Sequence, residues 1–140
     1  MARIRTIKPE FWTDEKLTEC SLSARLLFIG LLNFADDNGN LVHSEKRIKM
    51  QIFPADSLDV GVLLQELIAQ DVITTYSVLG TKYMNIKGFL KHQVINRRSA
   101  SKIPLIDGSL STHGVLSGGR EGKGSKPPKL RDFSKELPPD

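Results

Sequence analysis

Apolar residues recur along this chain at two spacings, dense and helical from Leu22 to Phe34 and alternating from Val72 to Val78, and the change between them lays out the expected elements. Ser21 is placed to cap a helix from Leu22 to about Ala35, because its oxygen can accept a backbone N–H that the first turn leaves unpaired. Leu22, Leu26, Leu27, Phe28, Ile29, Leu31, Leu32 and Phe34 lie nearly all round that helix, which predicts a central position in the domain. Asp36-Asp37-Asn38-Gly39-Asn40 then breaks it, with Gly39 suited to a positive φ. Leu41 to His43 is expected to form a short strand. A second helix follows, capped by Ser44 and ending at Phe53-Pro54, with Ile48 and Ile52 facing inward and Lys46, Arg47 and Lys49 outside. Val60, Leu63, Leu64, Leu67 and Ile68 repeat at helical spacing in a third helix from about Leu58 to Gln70. A hairpin closes the series: Val72 to Val78 alternates, Leu79-Gly80-Thr81 turns, and Lys82 to Phe89 returns with Met84 and Ile86 on one face.

Three helices, a short strand and a hairpin predict a domain that is mainly α with a small β-hairpin, arranged as a winged helix-turn-helix. A three-helix bundle with an incidental hairpin uses the same parts. At 140 residues the chain suffices for one domain whose core holds without disulfides or metal. Near Pro104 the composition turns to Gly, Ser, Pro and Lys, which cannot bury enough apolar surface to offset ordering entropy. The expected organisation is therefore a folded domain over 1–104 and a flexible tail over 105–140, in which Leu130, Phe133 and Leu137 stand at loose helical spacing for docking. The single Cys20 cannot pair within the chain, and no signal-like apolar run follows the start, so a cytoplasmic protein is expected. The longest apolar block, Leu26 to Leu32, falls far short of the roughly 20 residues a membrane span needs.

Charge sharpens this picture. Between Thr81 and Pro104 stand six basic residues (Lys82, Lys87, Lys91, Arg97, Arg98 and Lys102) and no acid, whereas Ser57 to Gly80 holds three acids and no base. Met1 to Asp56 balances at eight against eight, so the net charge of +4 arises almost wholly from one segment. A local positive field of this kind points to a polyanion, nucleic acid first. A solvated exit from the domain would produce the same run.

Three strings then carry a resemblance: Ile7-Lys8-Pro9-Glu10-Phe11-Trp12, Ala24 to Leu31, and Ala35-Asp36-Asp37-Asn38-Gly39. In these the chain resembles phage and prophage replication proteins, the replisome organisers and lambda O-like initiators. The likeness covers roughly Met1 to Asn96. It implies an N-terminal winged helix that binds DNA during initiation of phage DNA replication, in a family whose separate C-terminal region commonly recruits host helicase machinery. For this chain it implies the binding module alone.

In such a motif the second helix enters the major groove, which here presents Gln65, Gln70 and Ser57 to base edges. Asp59 and Glu66 on the same helix would be repelled by phosphate, so contact is expected mainly from the flanks. Lys82 and Lys87 on the wing, Lys91, Arg97 and Arg98 after it, and Lys46, Arg47 and Lys49 on the preceding helix are the expected phosphate contacts, with Arg3 and Arg5 reaching into solvent or a minor groove. Duplex is favoured over single strand. Phe11 and Trp12 could stack on unpaired bases, but beside a core helix they read better as packing residues. Partners from another class remain open: a host or phage replication protein docked on the acidic third helix and the tail, or a second copy of the chain.

Catalytic and metal chemistry find no support. One cysteine and three scattered histidines supply no zinc set. Gly118 to Ser125 lacks the spacing of a phosphate loop, and Asp36-Asp37-Asn38-Gly39 reads as a turn, since its Gly comes too early for a calcium loop. No nucleophile stands in a family setting, and neither His43 nor His92 is assigned a role. The expectation is a DNA-binding protein that is no enzyme, without cofactor.

Overall fold

Four helices begin at a side-chain oxygen. In the computed structural model, which describes residues 2–95 and 100–109, Asp14 accepts from the N–H groups of Lys16 and Leu17 to open α1 (Glu15–Thr18). Ser21 accepts from Ala24 to open α2 (Leu22–Phe34), Ser44 from Arg47 to open α3 (Glu45–Ile52), and Asp59 from Val62 to open α4 (Val60–Ala69). Caps of this type contribute about 1 kcal/mol each by satisfying an orphan donor of the first turn. α4 starts two residues later than its apolar pattern suggests, because Asp59 turns its side chain back onto the helix and so marks the boundary. A fifth helix, α5 (Phe89–His92), follows Gly88 at φ 72° and has no side-chain cap. It was not expected from the sequence, nor were α1 and the 3-10 turn Pro9–Thr13 before it.

The strands form one antiparallel sheet. β1 (Asn40–Val42), β2 (Ile73–Val78) and β3 (Thr81–Ile86) lie in the order β1-β3-β2, with Leu41 opposite Met84 and Tyr76 opposite Tyr83. The expected helices, short strand and hairpin are present, but the strand joins the hairpin in a three-stranded sheet, so mainly α is corrected to mixed α/β. Among the described residues the chain is mixed α/β, because the three-residue strand between α2 and α3 pairs with the return strand of the hairpin. β1 also begins one residue early, since the Asp36 carboxylate accepts from both Asn38 and Asn40 N–H and holds Asn40 in line, where its side chain accepts from Asn85 at 2.7 Å.

α2 packs against α3 and α4, and the sheet closes the core. Leu27, Leu31, Leu64, Leu67, Ile48, Ile73, Met84 and Ile86 are its fully buried large side chains. Each contributes about 1.5–3 kcal/mol of burial. The other sheet face carries Tyr76 and Tyr83, ring centres 5.5 Å apart. The Tyr76 hydroxyl donates to the Pro104 carbonyl at 2.8 Å, and burial raises its pKa. The chain past Pro104 continues as a turn, Gly108 N–H bonding Leu105 and Leu105 N–H bonding Ser109. The tail proper, 110–140, lies outside the described residues.

Candidate nucleic-acid interface

The N-terminal segment before Pro9 is a strap, and its Arg5 faces inward. The Arg5 guanidinium is 6 % exposed. Its Nε donates to the Leu32 carbonyl at 3.0 Å, and its Nη2 donates to the carbonyls of Ala35 at 2.9 Å and Asp36 at 3.3 Å and to the Asp37 carboxylate at 3.2 Å. The Leu32 and Ala35 carbonyls belong to the end of α2, where the helix leaves acceptors without partners of its own, so a planar fork with several N–H groups is the fitting cap. The same guanidinium lies 5.0 Å from the centre of the Phe89 ring. Arg3 Nε stands 3.7 Å from Asp37 Oδ1, and the Arg3 backbone exchanges hydrogen bonds with Asn33. Burial and these bonds turn Arg5 into the fold, against its expected place in solvent or a minor groove, whereas Arg3 keeps 37 % of its side chain exposed beside Asp37. One residue on, Thr6 and the Gln93 amide clasp each other through three hydrogen bonds of 2.9 to 3.1 Å. Gly39 completes the knot, with φ 83° and a would-be Cβ only 2.6 Å from Phe89.

Two further cations are occupied. Lys87 donates to Asp71 at 2.9 Å, so it meets the carboxylate that a free phosphate contact should lack. Lys49 donates to the Phe53 carbonyl at 3.0 Å and closes the end of α3. Lys91 is exposed on α5, where its carbonyl accepts from Lys8. Arg97 and Arg98 lie outside the described residues. Lys46, Arg47 and Lys82 are left exposed, and the backbone of Lys82 is tied to the segment that leads into α3. Lys46 and Arg47 are exposed on the outer side of α3, opposite buried Ile48. Lys82 is exposed on β3, and its carbonyl accepts from His43 N–H at 3.0 Å, three residues ahead of Lys46. Burial, and then the Lys82 charge, lower the pKa of His43 between them.

The acids of α4 are not where a bare charge count puts them. Glu66 accepts from the backbone and hydroxyl of Ser21 at 2.7 and 3.0 Å, so it caps α2 a second time. Glu45 lies against Gly61, where a Cβ would stand 2.8 Å from its carboxylate, and Asp59 caps its own helix. The outward residues of α4 are Val62, 56 % exposed, Gln65 and Ala69. An acidic docking face on this helix is thus reduced, since Glu66 and Asp59 answer local N–H groups. Phe11 stacks near Phe28 with ring centres 6.0 Å apart, while Trp12 meets Phe11 edge-on and stays 63 % exposed.

Beneath the strap lies a cavity of about 130 Å³ walled by Phe11, Leu17, Phe28, Leu32 and Phe89. No group of metal-ligating side chains occurs among the described residues, and none of their helices is long and apolar enough to cross a membrane. Leu79 was expected only as a member of the hairpin turn. It is 100 % exposed at the hairpin tip with φ 51°, and the signal was its place in a two-residue turn that favours Asn-Gly. Comparison of the chain with protein-family models, curated proteins and solved structures found no match.

Proposed function

We propose that this chain is a winged helix-turn-helix module that grips duplex DNA through its phosphates, of the kind phage replication-initiation proteins carry. The observation that carries the reading is the register of β3. It sets the exposed Lys82 beside the head of α3, whose outer side bears Lys46 and Arg47. Order along the chain supports it as well: helix, strand, two helices and a hairpin whose return strand pairs with the first strand. Flanking cations hold the two phosphate ridges, and α4 offers Gln65 and Val62 to the groove between them. Each phosphate neutralised releases counterion, so binding weakens steeply as salt rises. Fluorescence anisotropy on duplex and single-stranded oligonucleotides across a salt series tests this. Salt-dependent duplex binding that a Lys46→Ala, Arg47→Ala, Lys82→Ala variant loses is the expected result; equal binding by variant and parent overturns it.

A second reading, docking of a replication protein or of a second copy, rests on Leu22 and Leu26. They lie one turn apart on α2 and are 75 % and 54 % exposed. A partner retained at high salt after nuclease treatment, and lost on Leu22→Ser and Leu26→Ser, would favour it.

A further inference from the structure

The hairpin tip is built against the preference of its own backbone. Val78 pairs with Thr81, which leaves Leu79 and Gly80 to make the turn. Both hold positive φ, 51° and 83°, as a type I′ turn requires. Asparagine and glycine enter that region readily, whereas a leucine Cβ crowds the following carbonyl. Burial does not recover the strain, because Leu79 is 100 % exposed. The tip stands clear of the domain: no atom lies within 4 Å of where a Cβ on Gly80 would sit. A strained, bulky and fully exposed residue directs attention to something outside the domain.

The surroundings choose among apolar partners. Lys82 is exposed three residues beyond the leucine, and the ladder ties it to the head of the helix that presents Lys46 and Arg47. An apolar point backed by cations matches a DNA groove, with phosphates along both rims and stacked base steps at the floor. A two-residue tip is slim enough for the minor groove, and leucine is among the side chains that part base steps and kink the duplex. We infer that Leu79 is a minor-groove wedge, by which the hairpin enters duplex DNA and opens a flexible pyrimidine–purine step; this rests on the duplex-binding reading above.

Leu79→Asn separates this role from a structural one, since asparagine suits the turn and cannot act as an apolar wedge. Parent and variant are compared on a short duplex with a central TA step, labelled at both ends for energy transfer, and by urea denaturation. The expected result is a variant that resists urea better than the parent, yet binds several-fold more weakly and leaves the duplex straight where the parent bends it by roughly 20° or more. Parent binding without bending overturns the wedge and leaves the phosphate grip standing. Equal affinity and bending by Leu79→Asn also overturn it. Absence of any salt-dependent duplex binding by the parent removes both readings together.

Discussion

Arg5 and Lys82 are both basic residues on extended segments, and the fold uses them in opposite ways. The Arg5 side chain is 6 % exposed and donates to four acceptors at the end of α2, while Lys82 is exposed and has no ion pair among the described residues. The difference is local geometry. Arg5 runs beside a helix carboxyl end, where carbonyls concentrate partial negative charge; Lys82 sits near the tip of the hairpin with its side chain exposed. Positive charge at Arg5 therefore holds the fold, whereas Lys46, Arg47 and Lys82 are exposed.

Arg5→Ala should break this contrast most severely. It strips the Asp37 carboxylate, 4 % exposed, of its nearest cation and leaves the end of α2 uncapped, a loss of about 3–5 kcal/mol in urea denaturation. Gly39→Ala comes next, at about 2–3 kcal/mol, since it forces an L side chain to φ 83° and drives a Cβ into Phe89. The Lys46→Ala, Arg47→Ala, Lys82→Ala variant should do the reverse. Its stability stays within about 0.5 kcal/mol per site of the parent, while the slope of log affinity against log salt falls by roughly 2 to 3. A folded triple variant with an unchanged salt slope would erase the distinction between the two regions.

The smallest expected effect concerns His43. Burial and the Lys82 charge lower its folded pKa, opposed by Glu45. The unfolded chain then takes up a proton before the folded one, so His43 contributes stability above about pH 6.5 that is lost as pH falls through its folded value. Denaturation midpoints at neutral and mildly acidic pH should converge in His43→Gln relative to the parent. A parent with no greater acid sensitivity than the variant would show that the imidazole is freely solvated.

The turn string Ala35 to Gly39 meets Arg5 at the end of α2. Arg5 donates to the Ala35 and Asp36 carbonyls and to Asp37, while Gly39 lets Phe89 pack close by. Such a string reports a way of folding, which is why it held no chemical motif when read along the chain. Leu79 shows the converse: a lone apolar residue in a polar turn looks incidental until the backbone reveals a left-handed conformation.

Periodicity and capping chemistry were sufficient to place α2, α3 and the hairpin, because those signals act within a few residues and survive any tertiary arrangement. The pairing of β1 with β3 was not legible, nor was the use of each charge. Asn40 and Asn85 are 45 positions apart in sequence, and whether a lysine meets Asp71, a carbonyl or water depends on which segments the fold lays side by side. Electrostatic contacts act through space over a few ångströms, so tertiary packing alone decided that Arg5 and Lys87 stay at home while Lys46, Arg47 and Lys82 face outward.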